Sequence, residues 1–129
     1  MVGIVIVSHS SKIAEGAREL AAQMCPGFEG IYAAGGMEDG SIGTDAIRIK
    51  TAIEAADSGD GVVILADLGS GILSTETAID LLETGIDARI ADAPIVEGAV
   101  VAAVQASVGS SIDEVISEAE QTRQQSKIS

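Results

Sequence analysis

The stretch Val2-Gly-Ile-Val-Ile-Val-Ser-His-Ser-Ser11 decides the reading of this chain. An unbroken apolar run closed by polar residues suits a strand buried on both faces. The polar cluster that closes it holds the only histidine, His9. From Ser11 onward the apolar residues take helical spacing, so His9 falls where a buried strand ends and a helix begins. In open α/β sheets ligands bind at that edge, outside the carboxyl ends of the strands.

Outward from this stretch the same alternation repeats. Ser10 or Ser11 can cap a helix to about Met24, with Ile13, Ala14, Ala17, Leu20, Ala21 and Met24 as its apolar face. Pro26-Gly27 ends it. Phe28–Ala33 reads as a second strand. Ala34–Thr44 follows with four glycines in eleven residues, a loop suited to close backbone approach by a ligand or partner. Thr44 or Asp45 caps a second helix to about Ala56. After the turn Asp57–Gly61, Val62–Ala66 is a third buried strand ending at Asp67. Leu68-Gly-Ser-Gly71 opens a third helix, Ile72–Glu83, closed by a left-handed cap at Thr84-Gly85. Ile86–Ala91 is a fourth strand, more exposed because it carries Asp87 and Arg89. Pro94 starts an Ala- and Val-rich helix to Ser107. It is apolar nearly all round, so it is expected to be buried and is the candidate for a subunit interface. Asp113–Gln121 is a last amphipathic helix, and Thr122–Ser129 a frayed polar tail.

The order βαβαβαβαα predicts one doubly wound α/β domain over residues 1–129. Its sheet is parallel and four-stranded, in the order 2-1-3-4, with helices on both faces. The switch point then lies between strands one and three, at the loops bearing His9 and Asp67.

Composition narrows the function. At 129 residues and 47% apolar, the chain can build a real core from Val, Ile, Leu and Ala. Aromatic residues are 2% of the chain, which argues against recognition of bases or sugars by stacking. A net charge of −13 argues against nucleic acid and against an anionic membrane. It suits solvation, a basic docking partner or a high-salt habitat. The single cysteine, Cys25, excludes an internal disulfide and reads as a small buried side chain near a helix end. The apolar run at the N-terminus is too short for a signal peptide or a membrane span, which predicts a cytoplasmic protein.

Three chemistries are open to a lone histidine here. A metal site needs three or four ligands, and one His with one distant Cys does not supply them, so no metal or cofactor is expected. Tetrapyrrole chelatases open similarly but generally use a second histidine. A Ser-His-Asp hydrolase would have to use Ser70, because Ser8, Ser10 and Ser11 are chain neighbours of His9. However, Asp67-Leu-Gly-Ser-Gly71 lacks the glycine two residues before the serine that a nucleophile elbow carries. The third chemistry makes His9 itself the nucleophile towards a phosphoryl group. Asp67 is the candidate to hold the proton on the other ring nitrogen. Helix N-termini at Ser10-Ser11 and at Gly69-Ser70-Gly71 can neutralise the phosphoryl charge. Gly36 and Thr44, from the glycine loop, complete the expected phosphate or partner contacts.

Three segments carry a resemblance: Val5-Ile-Val-Ser-His-Ser10, Ala33-Ala-Gly-Gly36 followed by Asp39-Gly-Ser-Ile-Gly-Thr44, and Leu65-Ala-Asp-Leu-Gly-Ser70. Together they resemble the mannose-type enzyme IIA domains of the sugar phosphotransferase system. Within that family they resemble the phosphotransfer subunits of phosphoenolpyruvate-dependent dihydroxyacetone kinase. The resemblance implies that His9 accepts a phosphoryl group from the carrier HPr, on Nε2, while Asp67 holds Nδ1–H. It implies transfer to ADP on the partner DhaL, which with DhaK phosphorylates dihydroxyacetone, and it implies a homodimer. The alternative is a sugar-transport IIA passing phosphate to a IIB domain. Such domains tend to carry a Gly-Gly-Thr/Ser-Pro-like segment after the aspartate, whereas Leu68-Gly-Ser-Gly-Ile72 leans to the kinase branch. Some kinase-branch relatives are fused to HPr-like domains; a single domain here predicts a separate HPr. No strand signal follows Pro94, so no exchange of a C-terminal strand between subunits is expected. A binding module with an incidental His9 is the third reading.

Overall fold

The first strand, β1 (Gly3–Ser8), is buried along its whole length, as its apolar run requires. A computed structural model describes every residue except Thr84 and Ser129. After β1 come α1 (Ser11–Met24), β2 (Ile31–Gly35), α2 (Ala46–Ala56), β3 (Val62–Ala66), α3 (Gly69–Asp80), β4 (Ala88–Ile90), α4 (Ile95–Ser107) and α5 (Ile112–Gln121). A 3-10 turn, Thr122–Gln124, follows. The sheet is parallel throughout, in the order β2-β1-β3-β4. Ile4 of β1 lies opposite Ile31 on one side and Val63 on the other.

Both faces of the sheet are covered, which is why its central strands are apolar without alternation. Ile4, Ile6, Val63 and Leu65 point into one core with Ala14, Ala17 and Ala21 of α1, Ala99, Ala102 and Ala106 of α4, and Val115 of α5. Val5, Val7, Val62 and Ile64 point into the other, with Ile49, Ala52 and Ile53 of α2 and Ala78 of α3. The alanines let the helices approach closely in place of aromatic bulk. Cys25 caps α1 from a buried position, where its thiol donates to the Ala21 carbonyl at 3.2 Å. Burial pushes that thiol's pKa up.

Several expectations are corrected. In α1 the buried stripe is Ala14, Ala17 and Ala21, while Ile13, Leu20 and Met24 stay exposed; only small side chains fit where α1 presses on the sheet. The second strand starts at Ile31 and runs to Gly35, beyond the expected Ala33. A Cβ on Gly35 would lie 2.7 Å from the Ser10 carbonyl oxygen and from Ser11 Cα, so glycine lets β2 pass beneath the start of α1. Helix α3 begins at Gly69 and ends at Asp80, three residues earlier at each end than Ile72–Glu83. The left-handed cap at Thr84-Gly85 rests on Thr84 and lies outside the described residues. Strand β4 is three residues long, not six. The backbone bonds from Val62 N–H to the Asp87 carbonyl and from Ala91 N–H to the Ile64 carbonyl extend its pairing at both ends. Helix α4 needs no correction: as its apolar pattern leads one to expect, it is buried along one face, with Gly98, Ala99, Ala102, Ala103 and Ala106 against α1, α5 and the sheet, while Val96 on its other side is exposed. The tail is less frayed than expected: Thr122 is buried, Arg123 pairs with Asp92, and Lys127 lies 2.8 Å from Glu97.

Candidate active site

The C-terminal edge of β1 and β3 brings His9 and Asp67 together across 58 residues of chain. The pairing follows from topology: β1 and β3 are adjacent and in register, Val7 opposite Ala66, so the residues just past their ends face each other. Asp67 Oδ1 lies 3.0 Å from His9 Nδ1 and accepts the Leu68 N–H at 2.8 Å. Its Oδ2 accepts the His9 N–H at 3.0 Å and the Ser8 hydroxyl at 2.8 Å. Burial pushes the Asp67 carboxyl up, but these four donors outweigh it and hold the pKa below the usual carboxylate range. A carboxylate only accepts, so Nδ1 carries a proton, and in the neutral ring Nε2 presents its lone pair outward. The His9 side chain is 22% exposed.

On the outer side, Nε2 faces the hydroxyl of Ser70. Ser70 is the second residue of α3, and the start of that helix differs from those of α1 and α2. Helices α1 and α2 are capped by side chains: Ser10 Oγ accepts from Ile13 N–H, and Asp45 Oδ1 from the N–H groups of Ile47 and Arg48. No side chain among the described residues caps α3, whose N-cap is Leu68. The positive end of the helix therefore lies open beside Nε2. Gly71 packs against the carboxylate; a Cβ there would sit 3.0 Å from Asp67 Oδ1 and 3.9 Å from His9 Cε1.

The glycine loop closes the third side. The N–H of Gly36, in left-handed backbone (φ +69°), donates to the Ser8 carbonyl at 3.1 Å. The N–H of Gly43 donates to the His9 carbonyl at 2.9 Å. Thr44 Oγ1 shares a hydrogen bond with Ser74 Oγ at 2.7 Å and lies 3.5 Å from the Ser70 carbonyl.

Of the residues singled out in the sequence, His9, Asp67 and Ser70 thus form one hydrogen-bonded chain, with Gly71 against it. Gly69 opens α3 beside them. Thr44 touches α3 at Ser70 and Ser74. Ser10 serves as the cap of α1, Ser11 is its first residue, and Gly36 lies against Ser11, at 3.4 Å from its N for a built Cβ. Two residues of this constellation were not picked out: Ser8, which has no exposed surface, and Ser74, which holds Thr44. A serine ending an otherwise apolar buried strand was the available signal for Ser8; nothing local marks Ser74. Arg48 is a further cation near the edge, its guanidinium 3.5 Å from the Gly35 carbonyl.

Exposed apolar side chains stand on the segments that flank His9. Ile42, Leu68 and Leu73 are 74%, 65% and 66% exposed, with Ile13 and Ile47 beyond them. Ile42 and Leu68 lie on loops of the edge that carries His9, Ile13 and Ile47 in the first turns of α1 and α2, and Leu73 early in α3. Among the described residues no three His, Cys, Asp or Glu side chains could together hold a metal ion.

A phosphotransferase-system IIA domain is the class that this sheet order and histidine–aspartate pair define, and the comparisons place the chain there. The family described as the PTS system fructose IIA component, EIIA-man, matches residues 3–116. The chain belongs to that family and, within it, to the branch of DhaM phosphoryl donor subunits. The DhaM of Listeria innocua's PEP-dependent dihydroxyacetone kinase 2 is 42% identical over 92% of this chain and 96% of the relative. The DhaM proteins of Providencia stuartii and Escherichia coli K12 are 43% and 46% identical over 96% and 92% of this chain. The chain spans about a quarter of the length of those two, 27% and 26%. Among solved structures, the unknown-function protein EF1359 superposes with a TM-score of 0.79 at 37% identity, over 94% of this chain and 95% of the other. A phosphotransferase system component EIIA from Streptococcus agalactiae superposes at 0.70, over 96% and 93%, with 13% identity; that match concerns the fold alone. No helix of the described residues is long and apolar enough to cross a membrane.

Proposed function

We propose that the chain is a phosphohistidine carrier that loads His9 from phospho-HPr and discharges it to ADP on DhaL, so that DhaL and DhaK can phosphorylate dihydroxyacetone. The observation that carries this reading is the pairing of Nδ1 with a tightly held carboxylate while Nε2 faces the uncapped start of α3. The Nε2 lone pair attacks phosphorus, a P–N bond forms, and the bond to the donor's leaving atom breaks with its electron pair. Positive charge arising on the ring is offset by Asp67. Ser70 blocks Nε2 in the resting state. Its hydroxyl turns aside for attack and then donates to a phosphoryl oxygen, alongside the Gly69 and Ser70 N–H groups. The names of the DhaM relatives support the kinase branch over a sugar-transport IIA.

The apolar collar of Ile42, Leu68 and Leu73 suits a partner that must press against His9 and exclude water during transfer. Donor and acceptor use the same collar in turn. We place the protein in the cytoplasm, as a homodimer whose interface lies outside the buried face of α4; sedimentation at micromolar concentration tests the dimer.

The experiment is phosphoryl transfer followed by mass spectrometry. The chain is mixed with phosphoenolpyruvate, enzyme I and HPr, and the His9 peptide is examined for an acid-labile phosphate. The adduct is expected in the natural chain, absent in His9→Ala, and discharged by DhaL with ADP. An adduct that only a IIB domain discharges overturns the kinase assignment. Uptake that survives in His9→Ala overturns the mechanism.

A further inference from the structure

We propose that Ser8 is a positioning residue for transfer at His9: its hydroxyl locks the Asp67 carboxylate and, through it, the protonation and orientation of the imidazole. The inference rests on the reading of His9 as the phosphorylated residue.

The direction of each bond is settled by what the groups can do. The Ser10 N–H can only donate, and it points at Ser8 Oγ from 3.1 Å. The Asp67 carboxylate can only accept, and its Oδ2 lies 2.8 Å from the same oxygen. The single hydroxyl proton of Ser8 is therefore committed to Asp67. The side chain has no exposed surface, and the space left by removing one oxygen is too small for a water molecule to take its place. Burying a hydroxyl costs free energy that Val5 and Val7, in the same strand, do not incur. The structure gives a reason to keep it: Oδ2 is held by Ser8 and the His9 N–H, and Oδ1 by Nδ1–H and the Leu68 N–H. With two donors on each oxygen the carboxylate cannot turn. Removing the Ser8 donor leaves Oδ2 with one, so the group can rotate and loosen its grip on Nδ1. An imidazole without that grip carries its proton on Nε2 part of the time, and in that form Nε2 cannot attack phosphorus.

The chain has one histidine, so its ring nitrogens can be read directly by nitrogen NMR. In the natural chain the neutral ring is expected with its proton on Nδ1. In Ser8→Ala a mixture of the two tautomers should appear. The kcat of phosphoryl uptake from phospho-HPr should fall on the order of 10-fold, as it does when hydrogen-bond partners one step from a reacting group are removed. KM for HPr should hold, because the apolar collar is untouched. Ser8→Thr, which keeps the hydroxyl, should restore the Nδ1–H signal and most of the rate. If Ser8→Ala does not fold, Ser8→Cys keeps the size with a much weaker donor and is read the same way. A natural tautomer balance and rate in the alanine or cysteine variant overturns the proposal. A slowed variant whose ring keeps its proton on Nδ1 overturns it too, since that marks general damage. If the natural chain takes up no phosphate, the proposed function fails, while the tautomer measurement still reports whether Ser8 governs the ring.

Discussion

Asp67 is the residue on which the site turns, because all four of its partners are donors. Asp67→Asn keeps the size but presents an NH2 group to one of those donors, and it no longer offsets charge on the ring. Phosphoryl uptake in this variant should slow by on the order of 10²–10⁴-fold, the usual loss for a disabled orienting or acid–base partner; stopped-flow uptake from phospho-HPr measures it. The same residue makes stability depend on pH in a definite direction. Its folded carboxyl titrates below its unfolded counterpart. The stabilisation it supplies is therefore complete above about pH 4 and is lost as pH falls through the folded value. The difference in urea midpoint between the natural chain and Asp67→Asn should be largest near neutral pH and shrink below about pH 4. A difference that stays constant down to acid would show that the carboxylate's charge contributes nothing.

Among the elements, α3 and α4 start without a side-chain cap, and of the two only α3 starts beside His9. Helices α1, α2 and α5 carry side-chain caps, α5 with a full capping box of Ser111 and Glu114. Helix α3 has Leu68 at that position, in extended backbone and 65% exposed. Leu68→Asp would supply the missing acceptor, worth about 0.5–2 kcal/mol for a good N-cap, and put negative charge on the positive end of the helix. Under the proposed function the variant should melt higher than the natural chain and load phosphate more slowly, because the new carboxylate would compete with the phosphoryl group for the same N–H donors and would interrupt the apolar collar. Calorimetry and the uptake assay check the two halves. A variant that is both more stable and equally fast would remove the start of α3 from the mechanism.

At the scale of the molecule, 20 acidic residues outnumber 7 basic ones. If the donor is the proposed HPr with a basic docking face, its association should be steered by that charge and screened by salt. The second-order rate of phosphoryl uptake should fall as ionic strength rises, while the rate within the complex stays level. Most of this architecture was legible in the chain itself. Unbroken apolar runs at Val2–Val7 and Val62–Ala66 announce strands buried on both faces, and alternation with helical spacing announces a parallel sheet. Both are local statistics of a repeating backbone, so the element order and the sheet order 2-1-3-4 could be read. His9 and Asp67 could be paired because each ends a strand and the switch point puts those ends side by side. The sequence alone did not determine which apolar residues of α1 face inward, that β2 runs on to Gly35, or that α3 starts at Gly69. Nor did it determine that Ser8 and Ser70 would close on the carboxylate and the ring from opposite sides. These depend on distances between segments some 60 residues apart. Such distances are set when helices settle onto a sheet, a balance of close packing and hydrogen-bond satisfaction that no local stretch encodes.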